Sequence, residues 1–167
     1  LLITGNIRKE NNYRIYSVLE AVKEVVKTNK YIHLYIAGVI EDFNYLNYEV
    51  DKLNIRKFVT FMGPYSQKEA PNIYQKVNAY ITMSFQDNCP SAVIEAMSCG
   101  LPILYSSSGG IPELVGKNSG IGLKVPEDWA KVNVPAKEEI YEGILQIIDN
   151  QKSMSESARN RAVKLFD

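Results

Sequence analysis

Cysteine and histidine are scarce in this chain of 167 residues. The two cysteines, Cys89 and Cys99, form no CxxC pair, and the single histidine, His33, lies in an apolar run. A zinc site needs several such ligands at close spacing, and a disulfide framework needs more cysteines. We therefore expect neither, and the cysteine usage fits a reducing cytoplasm.

An excess of charge of either sign is also missing. Lysine plus arginine number 19 and aspartate plus glutamate number 19, so the net charge is zero. Proteins that bind nucleic acid or anionic membrane surfaces usually carry a basic excess. No apolar run reaches the roughly 20 residues of a membrane-spanning helix. We expect a cytoplasmic protein that binds small ligands and no nucleic acid.

Short apolar strands alternate with amphipathic helices along the whole chain. The predicted strands cover residues 1–5, 31–38, 59–63, 79–84, 102–106 and 120–125. The predicted helices are one with apolar residues spaced from Ile15 to Val26, then 42–53, 66–76, 90–99, a short one in GGIPELV, and finally 137–149 and 152–165. Parallel strands need crossover connections, and those crossovers cover both faces of the sheet. The pattern predicts an α/β fold with a doubly wound parallel sheet.

The chain has the size of a single domain. Its hydrophobic content of 46% allows one core of ordinary size, so we expect one domain over residues 1–167. Leu1 opens directly on a strand and Asp167 follows a helical pattern. We interpret both ends as cuts in a longer polypeptide.

The loop after the fourth predicted strand has the clearest chemical pattern. In a doubly wound sheet, ligands bind beyond the carboxyl ends of the strands. Here Asp87 precedes a helix that begins near Pro90 and Ser91, and free amides at a helix start suit a phosphate. Glu95, one turn later, could accept hydrogen bonds from a ribose diol. A second interpretation stays open, because an Asp before a helix is commonly a cap and a Glu in the first turns complements the helix dipole.

Two other loops lie at the same predicted edge of the sheet. In the first loop, Arg8 and Lys9 follow Gly5 and could clamp a diphosphate, although basic residues in a polar loop are also often just solvated. In the other, Gly109 and Gly110 would let the backbone approach a ligand closely.

The block SFQDNCPSAVIEAMSCGLPILYSSSGGIPELV, residues 84–115, resembles the signature of a known family. It is similar to the retaining GT-B glycosyltransferases called group 1, which use nucleotide-diphosphate sugars. Weaker similarities in LYIAG, VTFMG and GIGLKVP extend the resemblance over nearly the whole chain. The resemblance implies the Rossmann-like C-terminal half of a GT-B enzyme, a nucleotide-sugar-binding domain whose N-terminal acceptor domain is absent.

The resemblance also implies residue roles. Asp87 would be the catalytic residue that contacts the donor sugar, and Glu95 would bind the ribose hydroxyls. The backbone amides of Asn88, Cys89 and Ser91 would bind the sugar and the distal phosphate. The family implies no metal or other cofactor. It implies a hexosyl transfer to a glycan or lipid-linked acceptor in polysaccharide, capsule or lipopolysaccharide biosynthesis, at the inner membrane face.

Two parts of the chain depart from the family pattern. Asp87 stands where the family usually has Glu. The loop after the first strand usually has an Arg and a later Lys, whereas Asn6 and Asn11 lie at or near those positions. Arg8 and Lys9 are the candidate replacements, and with Gly5 they complete the predicted donor-binding residues.

Two alternative functions remain open from the sequence. A nucleotide-sugar 2-epimerase shares the general architecture, although the Glu-Ala-Met helix argues against it. A non-catalytic nucleotide-sugar-binding partner subunit is the other alternative, supported by the absence of Arg at Asn6.

Overall fold

The computed structural model describes residues 1–128 and 130–166, and of Lys9 only the backbone. In these ranges six strands form one sheet: β1 Leu2–Thr4, β2 Leu34–Ala37, β3 Val59–Gly63, β4 Tyr80–Thr82, β5 Ile103–Ser107 and β6 Gly120–Lys124. Their order is β3-β2-β1-β4-β5-β6, and neighbouring strands pair in parallel. The predicted doubly wound parallel sheet is confirmed.

The helices cover both faces of this sheet. They are α1 Tyr13–Thr28, α2 Phe43–Lys52, α3 Ala70–Tyr74, α4 Ser91–Ser98, α5 Ile111–Val115 and α6 Lys137–Phe166. Successive strand residues point to opposite faces. Ile3 packs in the layer of α1 and α2, and Leu2 packs in the layer of α3, α4 and α5. Because both faces are covered, the central strands β1 and β4 are buried at every position.

The C-terminal region corrects the prediction of two helices over 137–149 and 152–165. The structure has a single helix, α6, of 30 residues. Its first part packs in the layer of α1 and its last part in the layer of α4, so its apolar face changes along the helix. In the sequence, such a change of the buried face looks like a break between two helices. The backbone continues without a break, and no glycine or proline interrupts residues 144–166. Despite its length, neither α6 nor any other helix in the described ranges is apolar enough to cross a membrane.

The helix α3 is shorter than the predicted 66–76. The carboxylate of Glu69 accepts hydrogen bonds from the Ser66 amide and hydroxyl at 2.8 and 2.7 Å. These bonds close a turn before the helix, which therefore begins at Ala70 and ends at Tyr74.

The strand order reverses between β1 and β4. From β1 the chain continues through α1 to β2, and from β4 it continues through α4 to β5 on the opposite face. The loops after β1 and β4 therefore leave in different directions. Such a switch point opens a crevice at the carboxyl ends of the strands.

Candidate functional site

The crevice beside β1 and β4 contains a cavity of about 350 Å³. Its walls come from the loops after β1, β2 and β3 and from the first turns of α4. Gly5, Ser91 and Glu95, three residues selected from the sequence, line it together. The cavity therefore joins the amino end of a helix to a carboxylate.

The amino end of α4 is free to receive a ligand. Pro90, with an extended backbone at φ −68° and ψ 113°, precedes the helix, and no side chain in the described ranges caps it. The amides of Ser91 and Ala92 lie in the first turn, so they have no intrahelical acceptor. Both residues line the cavity. Free donors and the positive end of the helix dipole therefore face a space that an anion can enter.

Glu95 lies one helical turn after Ser91, and its half-buried side chain lines the same cavity. The hydroxyl of Tyr74, at the end of α3, donates a hydrogen bond to Glu95 Oε2 at 3.1 Å. A carboxylate can accept about four hydrogen bonds, so Glu95 keeps capacity for the hydroxyls of a ligand.

Two buried tyrosines lie next to Glu95 and Thr4. Tyr74 and Tyr80 are each 1% exposed, and their ring centroids are 5.9 Å apart. Tyr80 Oη and Thr4 Oγ1 share a hydrogen bond of 2.9 Å. Burial raises the pKa of Tyr74 far above its ordinary value. Burial also raises the pKa of Tyr80 to about 12, although the hydrogen bond with Thr4 and the positive charge of Arg14 act to lower it. Tyr74 therefore stays protonated and is the donor to Glu95.

The loop after β4 carries Asp87, Asn88 and Cys89. Asp87 is half-buried, whereas Asn88 and Cys89 are exposed. Among the described residues, these three lie beside the start of α4 and not in the wall of the cavity that holds Glu95. Asp87 also does not cap α4, which removes the capping interpretation of this residue.

The two glycines after β5 contact this loop. A Cβ on Gly110 would lie 2.0 Å from Asn88 O, and one on Gly109 would lie 2.5 Å from Asp87 O. The Gly110 amide also donates to Asp87 O at 3.0 Å. We expected the glycines to approach a ligand, but in the structure they approach the protein's own backbone and hold the Asp87 loop.

Gly5 and Arg8, both in the loop after β1, lie at different cavities. Gly5 lines the cavity, whereas Arg8 lines a second cavity of about 310 Å³ on the side of α1 and α2. A parallel bridge between Ile7 and Ile40 draws this loop toward β2, away from β4. Arg8 is therefore not brought together with Ser91 and Glu95. The predicted role of Lys9 in binding a diphosphate concerns a side chain that lies outside the described part of the structure.

Three residues near the site were missed by the sequence analysis. Thr4 is a polar residue at the carboxyl end of an apolar strand, which is a usable signal. Arg14 lies in the first turn of α1, where a cation opposes the helix dipole, and that mismatch is a second signal. Tyr74 gave no signal, because its contact with Glu95 depends on how α3 packs against α4. No group of three or more potential metal ligands of the His, Cys, Asp or Glu type occurs among the described residues.

Comparison with known proteins identifies the family. A sequence model of the family described as glycosyl transferases group 1 matches residues 1–164. The chain therefore belongs to the group 1 glycosyl transferases. It is 32% identical to a D-inositol 3-phosphate glycosyltransferase of Mycobacteroides abscessus over 82 residues, which cover 47% of this chain and 18% of that relative.

Solved structures share the fold. HepE of Anabaena in complex with UDP matches with a TM-score of 0.77 and 18% identity, over 99% of this chain and 44% of HepE. The C-terminal domain of the group 1 family protein LpcC of Francisella tularensis matches with a TM-score of 0.79 and 14% identity, over 99% of this chain and 85% of that domain. The chain thus spans less than half the length of HepE and has the Rossmann-like fold of GT-B glycosyltransferases.

Proposed function

We propose that the chain is the donor-binding domain of a retaining glycosyltransferase that uses a nucleotide-diphosphate sugar. The observation that supports this most is the cavity in which the free amides of Ser91 and Ala92 lie beside Glu95. A nucleoside diphosphate offers an anion for the amides and a ribose diol for the carboxylate. HepE, which shares the fold, is a protein solved with UDP.

In this proposal the diphosphate lies on the amino end of α4 and the ribose on Glu95. The transferred sugar lies toward the adjoining loop, where it meets Asp87 as the catalytic residue and the backbone of Asn88 and Cys89. No metal or other cofactor takes part. Negative charge develops on the leaving diphosphate as the bond to the sugar breaks, and preorganised amides stabilise that charge without moving.

The acceptor side of the reaction lies with other residues. A glycan or lipid-linked acceptor would bind a separate N-terminal domain, and the hexosyl group would be transferred with retention of configuration. We place the protein in the cytoplasm, in peripheral contact with the inner membrane face during polysaccharide, capsule or lipopolysaccharide assembly. The described domain alone is then expected to bind donor and transfer nothing.

Calorimetric titration with UDP and GDP tests the donor site. We expect one of them to bind, and Glu95→Ala to weaken that binding by about 1.5–3 kcal/mol, the cost of losing a charge-assisted hydrogen bond. Glu113→Ala is the matched control, because Glu113 is an exposed first-turn glutamate of the neighbouring helix α5 and should leave the affinity unchanged. Equal affinities for the wild type and Glu95→Ala would remove Glu95 from the ribose role.

One observation supports a second candidate function. Arg8 lies outside the cavity, so the family's phosphate-binding cation is not supplied from its position. A non-catalytic nucleotide-sugar-binding partner subunit would tolerate this. Donor binding without any transfer, measured on a protein that includes the acceptor domain, would identify that function.

A further inference from the structure

Tyr74 connects the two helices that pack together at the side of the cavity. It is the last residue of α3, and its hydroxyl donates to Oε2 of Glu95 in the second turn of α4 at 3.1 Å. The hydrogen bond spans 21 residues of sequence, so it exists only because α3 packs on α4.

Tyr74 cannot itself reach a ligand. Its side chain is 1% exposed, whereas Glu95 is half-buried and lines the cavity. The Glu95 carboxylate is therefore a contact through which the buried hydroxyl of Tyr74 can act on a bound molecule.

The hydrogen bond limits the freedom of that carboxylate. A glutamate side chain loses considerable rotamer entropy when a ligand immobilises it. With one oxygen already held by Tyr74, Glu95 is ordered before the ligand arrives, and less entropy is lost on binding. The tyrosine is itself fixed, since its buried ring packs against that of Tyr80.

We propose that Tyr74 is a positioning residue, whose buried hydroxyl orients the Glu95 carboxylate toward the ribose hydroxyls of the nucleotide donor. This inference rests on the proposed function, because it assigns a partner to the residue that binds the ribose. It adds a requirement on α3, a helix that contributes no other group to ribose binding in the proposal.

The test uses Tyr74→Phe and two ligands, UDP and 2′,3′-dideoxyuridine diphosphate. Phenylalanine keeps the ring and removes the hydroxyl. We expect UDP affinity to fall about three- to tenfold, the range of one ordinary hydrogen bond. The dideoxy ligand has no ribose hydroxyls for Glu95, so its affinity should stay the same. The affinity for UDP divided by that for the dideoxy ligand should therefore fall. A purely structural role of Tyr74 would leave this ratio unchanged.

Tyr80→Phe is the matched control. It also removes one phenol oxygen from a buried tyrosine, but that oxygen bonds Thr4 and not Glu95. We expect it to lower the melting temperature and to keep the affinity ratio of the wild type. In a Glu95→Ala background, Tyr74→Phe should cause no further loss of UDP affinity, because the carboxylate that Tyr74 orients is then absent.

The outcomes separate this inference from the proposed function. If the wild type binds UDP and Glu95→Ala weakens it, while Tyr74→Phe lowers the affinity for both ligands equally or for neither, the positioning role is overturned and the donor site stands. If the wild type binds neither UDP nor GDP, both proposals are overturned.

Discussion

At the scale of single residues, the absence of a side chain at Gly110 allows the Asp87 loop to pack against the start of α5. The backbone of Gly110 has an ordinary φ of −89°, so a side chain would not strain the conformation of this residue. The restriction comes from Asn88, whose carbonyl oxygen would lie 2.0 Å from a Cβ. Because that loop also carries Asp87, the position of the proposed catalytic carboxylate depends on a glycine 23 residues later in the chain.

Gly110→Ala is expected to displace the Asp87 loop. Overpacking of this kind costs about 1–3 kcal/mol of unfolding free energy, and donor affinity should fall as well. Gly100→Ala is the control, because Gly100 has a positive φ of 74° and its Cβ would meet nothing closer than 3.4 Å, at the far end of α4. Gly100→Ala should lower the stability and leave the donor affinity unchanged. Thermal unfolding and UDP titration of both variants check this, and unchanged UDP affinity in Gly110→Ala would contradict it.

The residues of the site were predictable where local spacing decides their position. Ser91 and Glu95 are one helical turn apart, so any helix that begins near Pro90 places them on one side. Tyr74 was not predictable, because its contact with Glu95 arises from packing between two helices. The separation of Arg8 from Glu95 was not predictable, since the sequence does not reveal the bridge between Ile7 and Ile40 that draws its loop toward β2.

At the scale of elements, the last part of α6 forms hydrogen bonds with the ends of α4 and α5, two helices beside the site. Side chains of α6 donate to carbonyl groups at the carboxyl ends of α4 and α5. Arg159 Nη1 donates to Ser98 O at 2.6 Å, and Arg161 Nε donates to Leu114 O at 2.6 Å. Such carbonyls have no intrahelical donor, so α6 satisfies groups that would otherwise depend on water.

Arg161→Met should lower the free energy of unfolding by about 1–2 kcal/mol, because it removes charge-assisted hydrogen bonds to the end of α5. Lys164→Met, one turn later on the same helix and exposed, is the control and should change stability little. Urea unfolding measures the difference in unfolding free energy, provided that the variants share the same dependence of this free energy on urea concentration. Coincident midpoints for the two variants would show that the Arg161 contacts contribute nothing.

The helix α6 also shows how far the hydrophobic pattern of the sequence predicts the secondary-structure elements. The six strands lie where short apolar runs predicted them, since burial on both faces demands such runs. The single helix α6 was predicted as two, because helical periodicity marks a buried face and not the continuity of the backbone. Ile140 and Ala158 are both buried, yet they pack in opposite layers.

At the scale of the whole molecule, topology and charge together define what the crevice can attract. The reversal of strand order between β1 and β4 opens the crevice, and the net charge of zero provides no overall attraction for an anion. Attraction must therefore be local, from the amino end of α4 at the wall of the cavity. The proposed donor site depends on a diphosphate binding at that helix end.

Nuclear magnetic resonance of the 15N-labelled protein, titrated with UDP and in parallel with uridine, tests this most directly. We predict that UDP shifts the amide signals of Ser91 and Ala92 most strongly and that uridine, which lacks the diphosphate, does not. UDP binding that leaves these two amides unchanged, or equal shifts with uridine, would contradict the account.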